Sequence, residues 1–135
     1  MDGCRGAGWA AIGGRTYPFW TCQSGRPEHT YDGGWEHFVG GGLAVFDCND
    51  DSRPDLVAAG GSNSPLLLRN VSTASGPVQF EETTPDTLDL TGTVGAYPMD
   101  VDNDGLLDVV ILRVGPDVVL KGIGDCNFEP MEFET

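Results

Sequence analysis

Apolar runs of only a few residues, each cut short by glycine, proline or a cluster of acids, fill the chain from residue 43 to residue 130. Leu43-Ala44-Val45-Phe46 leads into an acidic stretch, then Leu56-Val57-Ala58-Ala59, which stops at Gly60-Gly61. Leu66-Leu67-Leu68-Arg69-Asn70 and Gln79-Phe80-Glu81 follow. The succession then returns: Val94-Gly95-Ala96-Tyr97, a second acidic stretch, Val109-Val110-Ile111-Leu112, Val118-Val119-Leu120-Lys121-Gly122 and Asn127-Phe128-Glu129. Short β-branched or leucine-rich runs between turn residues predict strands. Helical patterning is absent, and 20 glycines and 9 prolines punctuate the chain. The acidic stretches begin 53 residues apart. Four strands per repeat at a period of about 45–53 residues is the pattern of a β-propeller blade. The expected fold is all-β, with two four-stranded β-propeller blades belonging to a larger propeller. The blades fall at residues 38–90 and 91–135, behind a Gly/Trp-rich N-terminal segment, 1–37, that could hold a strand of a neighbouring blade.

The acidic stretches carry the candidate chemistry. In Asp100-Val101-Asp102-Asn103-Asp104-Gly105-Leu106-Leu107-Asp108, carboxylates stand at positions 1, 3, 5 and 9 and glycine at position 6. A hard cation such as Ca2+ takes six to eight oxygens at about 2.3–2.6 Å, and a curled loop offers them from alternate residues. Leu106, at position 7, would give its backbone carbonyl. Asp47, Asn49, Asp51 and Asp55 repeat the pattern, with Arg53 at the carbonyl position and Ser52 where the other loop has glycine. Asn49 removes a charge, Arg53 adds a positive one, and Ser52 must bend at steric cost, so this loop is expected to hold an ion less well. An EF-hand is excluded: position 12 of the second loop is Ile111, not glutamate, and a strand-like run follows. Calcium is favoured over magnesium, which demands tighter octahedral geometry and keeps its waters.

These residues resemble FG-GAP/VCBS repeats, the calcium-loop propellers of integrin α-subunit heads and many secreted bacterial proteins. Gly95-Ala96-Tyr97-Pro98 is similar to the second half of the Phe-Gly…Gly-Ala-Pro signature, and Phe38-Val39-Gly40-Gly41 to a loose first half. The stretch from Gly33 to Asp47 looks closest to bacterial members of the cartilage-acidic-protein branch. The resemblance covers roughly residues 31–133 and implies one blade per repeat, with the ion held between strands one and two. Asn49 and Ser52 depart from the family loop.

Two blades fall short of the four to eight that close a propeller. The remaining blades are expected in cis, the chain being a piece of a longer protein, or else from self-association. No segment resembles a signal peptide, and no run approaches the roughly 18 apolar residues of a membrane span. Tyr17-Pro18-Phe19-Trp20 fits either a strand or a loop over the first blade. There are 21 acids against 7 bases, for a net charge of -14, and eight of the acids lie in the two loops. Such a surface repels nucleic acid. Four cysteines allow three complete pairings, or none. In a propeller the second blade's last hairpin opens on the same face as the acidic loops, so Cys48–Cys126 is one pairing, with Cys4–Cys22 the other. Zinc is disfavoured, since no C-x-x-C or C-x-x-H spacing occurs.

Catalysis is not expected. His29 and His37 sit without a nucleophile or ligand spacing and read as surface or packing histidines, and Trp35 and Phe38 read as core aromatics capping the first blade. The expected function is a calcium-binding, non-catalytic propeller segment of an extracellular, periplasmic or cell-envelope protein, presenting a surface to a protein or glycan. The alternative is a fragment of a propeller enzyme acting on glycans, since propellers host many activities.

Overall fold

Alternation of buried and exposed positions organises both halves of the chain. The computed structural model describes residues 7–12, 15–20, 29–38 and 40–132. β1 (Ala7–Ile12) and β2 (Arg15–Trp20) form an antiparallel hairpin. Tyr17-Pro18-Phe19-Trp20 is therefore strand. The suggested Cys4–Cys22 pair lies outside the described residues.

β3 (Leu43–Phe46), β4 (Asp55–Ala58), β5 (Leu66–Asn70) and β6 (Phe80–Glu82) form one four-stranded antiparallel meander. β7 (Thr93–Met99), β8 (Asp108–Arg113), β9 (Val118–Gly124) and β10 (Asn127–Pro130) form the second. The fold is all-β, two four-stranded blades of propeller type. Residues 35–37 and 86–88 form short 3-10 turns.

Register explains which side chains meet. In the first sheet Ala44, Val57 and Leu67 lie opposite one another, as do Phe46 and Asp55, and all five are buried. In the second, Ala96 pairs with Ile111 and Val109 with Leu120, again buried. These two faces, with Leu88 and Phe128, make one core between the sheets. Phe46 and Phe128 meet edge to face across it, ring centroids 6.3 Å apart. Each fully buried leucine or valine there adds about 1.5–3 kcal/mol.

The sheets are also tied through backbone and covalent links. The Gly42 amide donates to Val94 O at 3.3 Å, beside the contact of β3 with β7. Gly61 (φ +66°) bridges Asp32 on one side and Thr93 on the other, and a Cβ there would collide with the Asp32 carbonyl oxygen. Cys48 and Cys126 form a disulfide, Cα atoms 4.6 Å apart, joining the first acidic loop to the β9–β10 turn. Beside it, Arg69 reaches Asp125 at 3.6 Å.

One expectation is overturned. Trp35 and Phe38 do not cap the core: each is 89% exposed. A 3-10 turn has three residues per turn, so residues three apart share a face. Here that face is turned outward, and His37 occupies the inward position, buried against Gly33.

Candidate metal centre

Each acidic loop joins the first and second strands of its blade, and the two are wired alike. In the second, the Asp104 and Gly105 amides donate to the two carboxylate oxygens of Asp100 at 3.1 and 3.0 Å. In the first, Asp51 and Ser52 do the same to Asp47 at 3.1 and 2.6 Å. The Leu106 amide donates to Asp104, as the Arg53 amide does to Asp51, both at 2.9 Å. Such bonds curl the backbone so that alternate side chains converge. Ser52 takes φ +64° where Gly105 takes +90°, so serine adopts the left-handed conformation at its cost.

The ninth residue anchors each loop to its sheet. Asp108 is fully buried and accepts amide hydrogens from Val101 at 2.7 Å and Gly122 at 2.9 Å. Asp55, equally buried, accepts from Cys48 at 2.9 Å and Asn70 at 2.8 Å. One amide comes from loop position 2 and the other from the third strand. Cys48 Sγ lies 3.0 Å from Asp55 Oδ2, but a disulfide sulfur carries no proton, so this is only a packing contact.

The donor set fits a hard cation. Oxygens of Asp100, Asp102 and Asp108 lie within 4.8 Å of one another, the spread expected of ligands about 2.3–2.6 Å from one ion. Asp104 is not part of this group and pairs instead with Lys121. In the first loop Asn49 replaces one carboxylate; its Nδ2 donates to Asp51 at 3.0 Å, and its Oδ1 is buried with no hydrogen-bond partner. An orphaned buried oxygen at ligand position 3 is a group that a bound cation could satisfy. Cys48, Asp55 and Cys126 also cluster, but with the sulfurs bonded to each other that group offers no thiolate.

Cationic side chains already attend both loops. The Lys121 ammonium binds Asp102 closely and Asp104 at 2.7 Å. Its hydrogen bond, then that of the Leu106 amide, holds the Asp104 carboxyl below the usual carboxylate range, and Lys121 is raised in turn by Asp102 and Asp104. Arg53 grips Asp51 through Nη2 at 3.0 Å and donates through Nη1 to Ser72 O at 3.1 Å. Desolvation acts to raise Asp51, and the hydrogen bonds of Asn49 and Arg53 outweigh it, so its carboxyl is lowered. Sequence reasoning missed Lys121; for Arg53 it noted the positive charge near the loop but not its grip on Asp51. The repeat gave no signal for Lys121: at the equivalent position Arg69 pairs with Glu81 and Asp125, not with the first loop.

Elsewhere the candidates stay separate. His29 Nε2 lies 3.0 Å from Ala59 O, and His37 packs against Tyr31, ring centroids 6.5 Å apart. Among the described residues no helix is long and apolar enough to cross a membrane.

Two four-stranded meanders, each with an acidic loop between its first two strands, define a repeat segment of the β-propeller type. Residues 47–111 match the FG-GAP-like repeat family, a stretch that opens on the first acidic loop and runs through the second into β8. The match supports the FG-GAP/VCBS repeat family. Neither the curated proteins nor the solved structures contain a match to the chain.

Proposed function

We propose that this chain is a calcium-binding, non-catalytic propeller segment of an extracellular or cell-envelope protein, within the FG-GAP/VCBS family nearest its bacterial cartilage-acidic-protein branch. The observation that carries the reading is the convergence of Asp100, Asp102 and Asp108 on one point within a loop whose wiring recurs at 47–55. Asp104 and the Leu106 carbonyl complete the first ion's shell. Asp47, Asn49, Asp51, the Arg53 carbonyl and Asp55 supply the second.

The ions' role is structural. They offset repulsion among the carboxylates and fix each loop between its strands. Extracellular calcium modules have Kd values of about 0.1–1 mM, so occupancy belongs outside the cytosol. Acids held ionised by a metal do not serve as general acids, which argues against glycan cleavage by these residues. The blade surface then serves contact with a protein or a glycan.

Calcium titration by calorimetry, paired with melting in calcium and in chelator, tests the reading. Saturable binding of two ions with a higher melting temperature is expected; binding to the folded form adds about 2.7 kcal/mol at a hundredfold excess over Kd. A folded chain with neither heat nor shift would leave two acidic turns and sink the metal role.

A further inference from the structure

The repeat relates more than strands. Asp47 corresponds to Asp100, so Ala44 and Phe46 correspond to Tyr97 and Met99, and Val57 to Val110. Ala44, Phe46 and Val57 form the face of the first blade that packs into the shared core. Their counterparts lie together on the opposite side of the second blade, where Tyr97 pairs with Val110 and both Tyr97 and Met99 are exposed. The partner face behaves in the same way. Ala96, Val109, Ile111 and Leu120 of the second blade enter the core, and they correspond to Leu43, Leu56, Ala58 and Leu68 of the first. Those four share the first blade's far face with Val45 in register, and Leu43 and Val45 are more than half exposed. The chain thus forms one blade-to-blade contact internally and presents both halves of a second.

We infer that a second copy of this chain docks head to tail, the Tyr97–Met99–Val110 face of one against the Leu43–Val45–Leu56 face of the next. Side chains at the corresponding positions suit the contact. Met99 stands where Phe46 stands and Phe80 where Phe128 stands, so a thioether meets a ring in place of the edge-to-face pair. Val101 replaces Cys48, and Val78, two residues before Phe80 as Cys126 is two before Phe128, replaces the other half of the disulfide. Both valines are exposed. Tyr97 and Leu43 are larger than Ala44 and Ala96, which sets the inner strands wider apart at this junction. Head-to-tail contacts join unlike faces and close into a ring when the rotation allows.

The inference reaches beyond the calcium role and is tested on the full chain in calcium. Light scattering should give a small integer multiple of 14.3 kDa. Val45→Glu and Tyr97→Glu should each yield a folded monomer, while an equimolar mixture of the two, which leaves one intact face of each kind, should yield two-chain species and nothing larger. As an independent measurement, oxidised Val78→Cys/Val101→Cys chains should link into multimers, and neither single variant alone should. A monomeric wild type overturns the inference. So does a Glu variant that still self-associates, since like faces would then be pairing, or a double-cysteine variant that fails to cross-link.

Discussion

Replacing Asp108 by asparagine separates the two tasks of the second loop. The buried carboxylate accepts hydrogens from Val101 and Gly122, which pins loop to sheet before any ion is considered. Asparagine has nearly the same shape but keeps a single acceptor oxygen, so one amide must face an NH2 donor. Losing one charge-assisted bond costs about 1.5–3 kcal/mol, and leaving a buried amide unpaired adds to it. A total near 2–4 kcal/mol follows, and at about 3–5 °C per kcal/mol for a chain this long, melting should fall by roughly 6–20 °C. The assay is thermal unfolding by circular dichroism in chelator, with Asp104→Asn as the control. Asp104 is exposed, so that substitution should lower melting in chelator far less than Asp108→Asn and act mainly when calcium is present. A drop of less than about 2 °C for Asp108→Asn in chelator would refute the anchoring role.

Other substitutions test the remaining parts. Cys126→Ser opens a bridge that spans 78 residues; chain entropy puts the loss at up to about 4.5 kcal/mol, read by denaturant titration against the oxidised parent. Ser52→Gly relieves a left-handed serine and should stabilise the chain by about 0.5–1 kcal/mol while raising the first loop's calcium affinity by calorimetry. Because Lys121 holds the folded-state pKa of Asp104 down, this contribution is complete above the ordinary carboxylate range and is lost as pH falls through the depressed value. Chelated Lys121→Met should therefore show a shallower loss of stability on acidification, and should bind calcium more tightly once the competing ammonium is gone.

The strands were legible because each apolar run in both blades is short and bounded by turn residues, and all eight lie on or overlap those runs. The acidic loops were legible from spacing alone. What spacing could not carry was their second layer of partners. The Asn70 and Gly122 amides reach Asp55 and Asp108 only after a third strand returns beside the loop. Lys121 likewise arrives from β9, 19 residues from Asp102. The error over Trp35 and Phe38 has a different origin. Large aromatics are usually buried, but a single 3-10 turn offers one inward position, and His37 holds it. The disulfide was open among three pairings in the sequence and is fixed by the blade-to-blade packing that sets Cys48 beside Cys126.

That bridge also changes what a nick in the backbone can do. The β5–β6 connection is exposed from Thr73 to Gln79 and lies between the two joined cysteines. A protease cutting there opens the polypeptide without releasing a fragment. The severed halves remain one covalent molecule, still sharing a core, and separate on a gel only after a reductant is added.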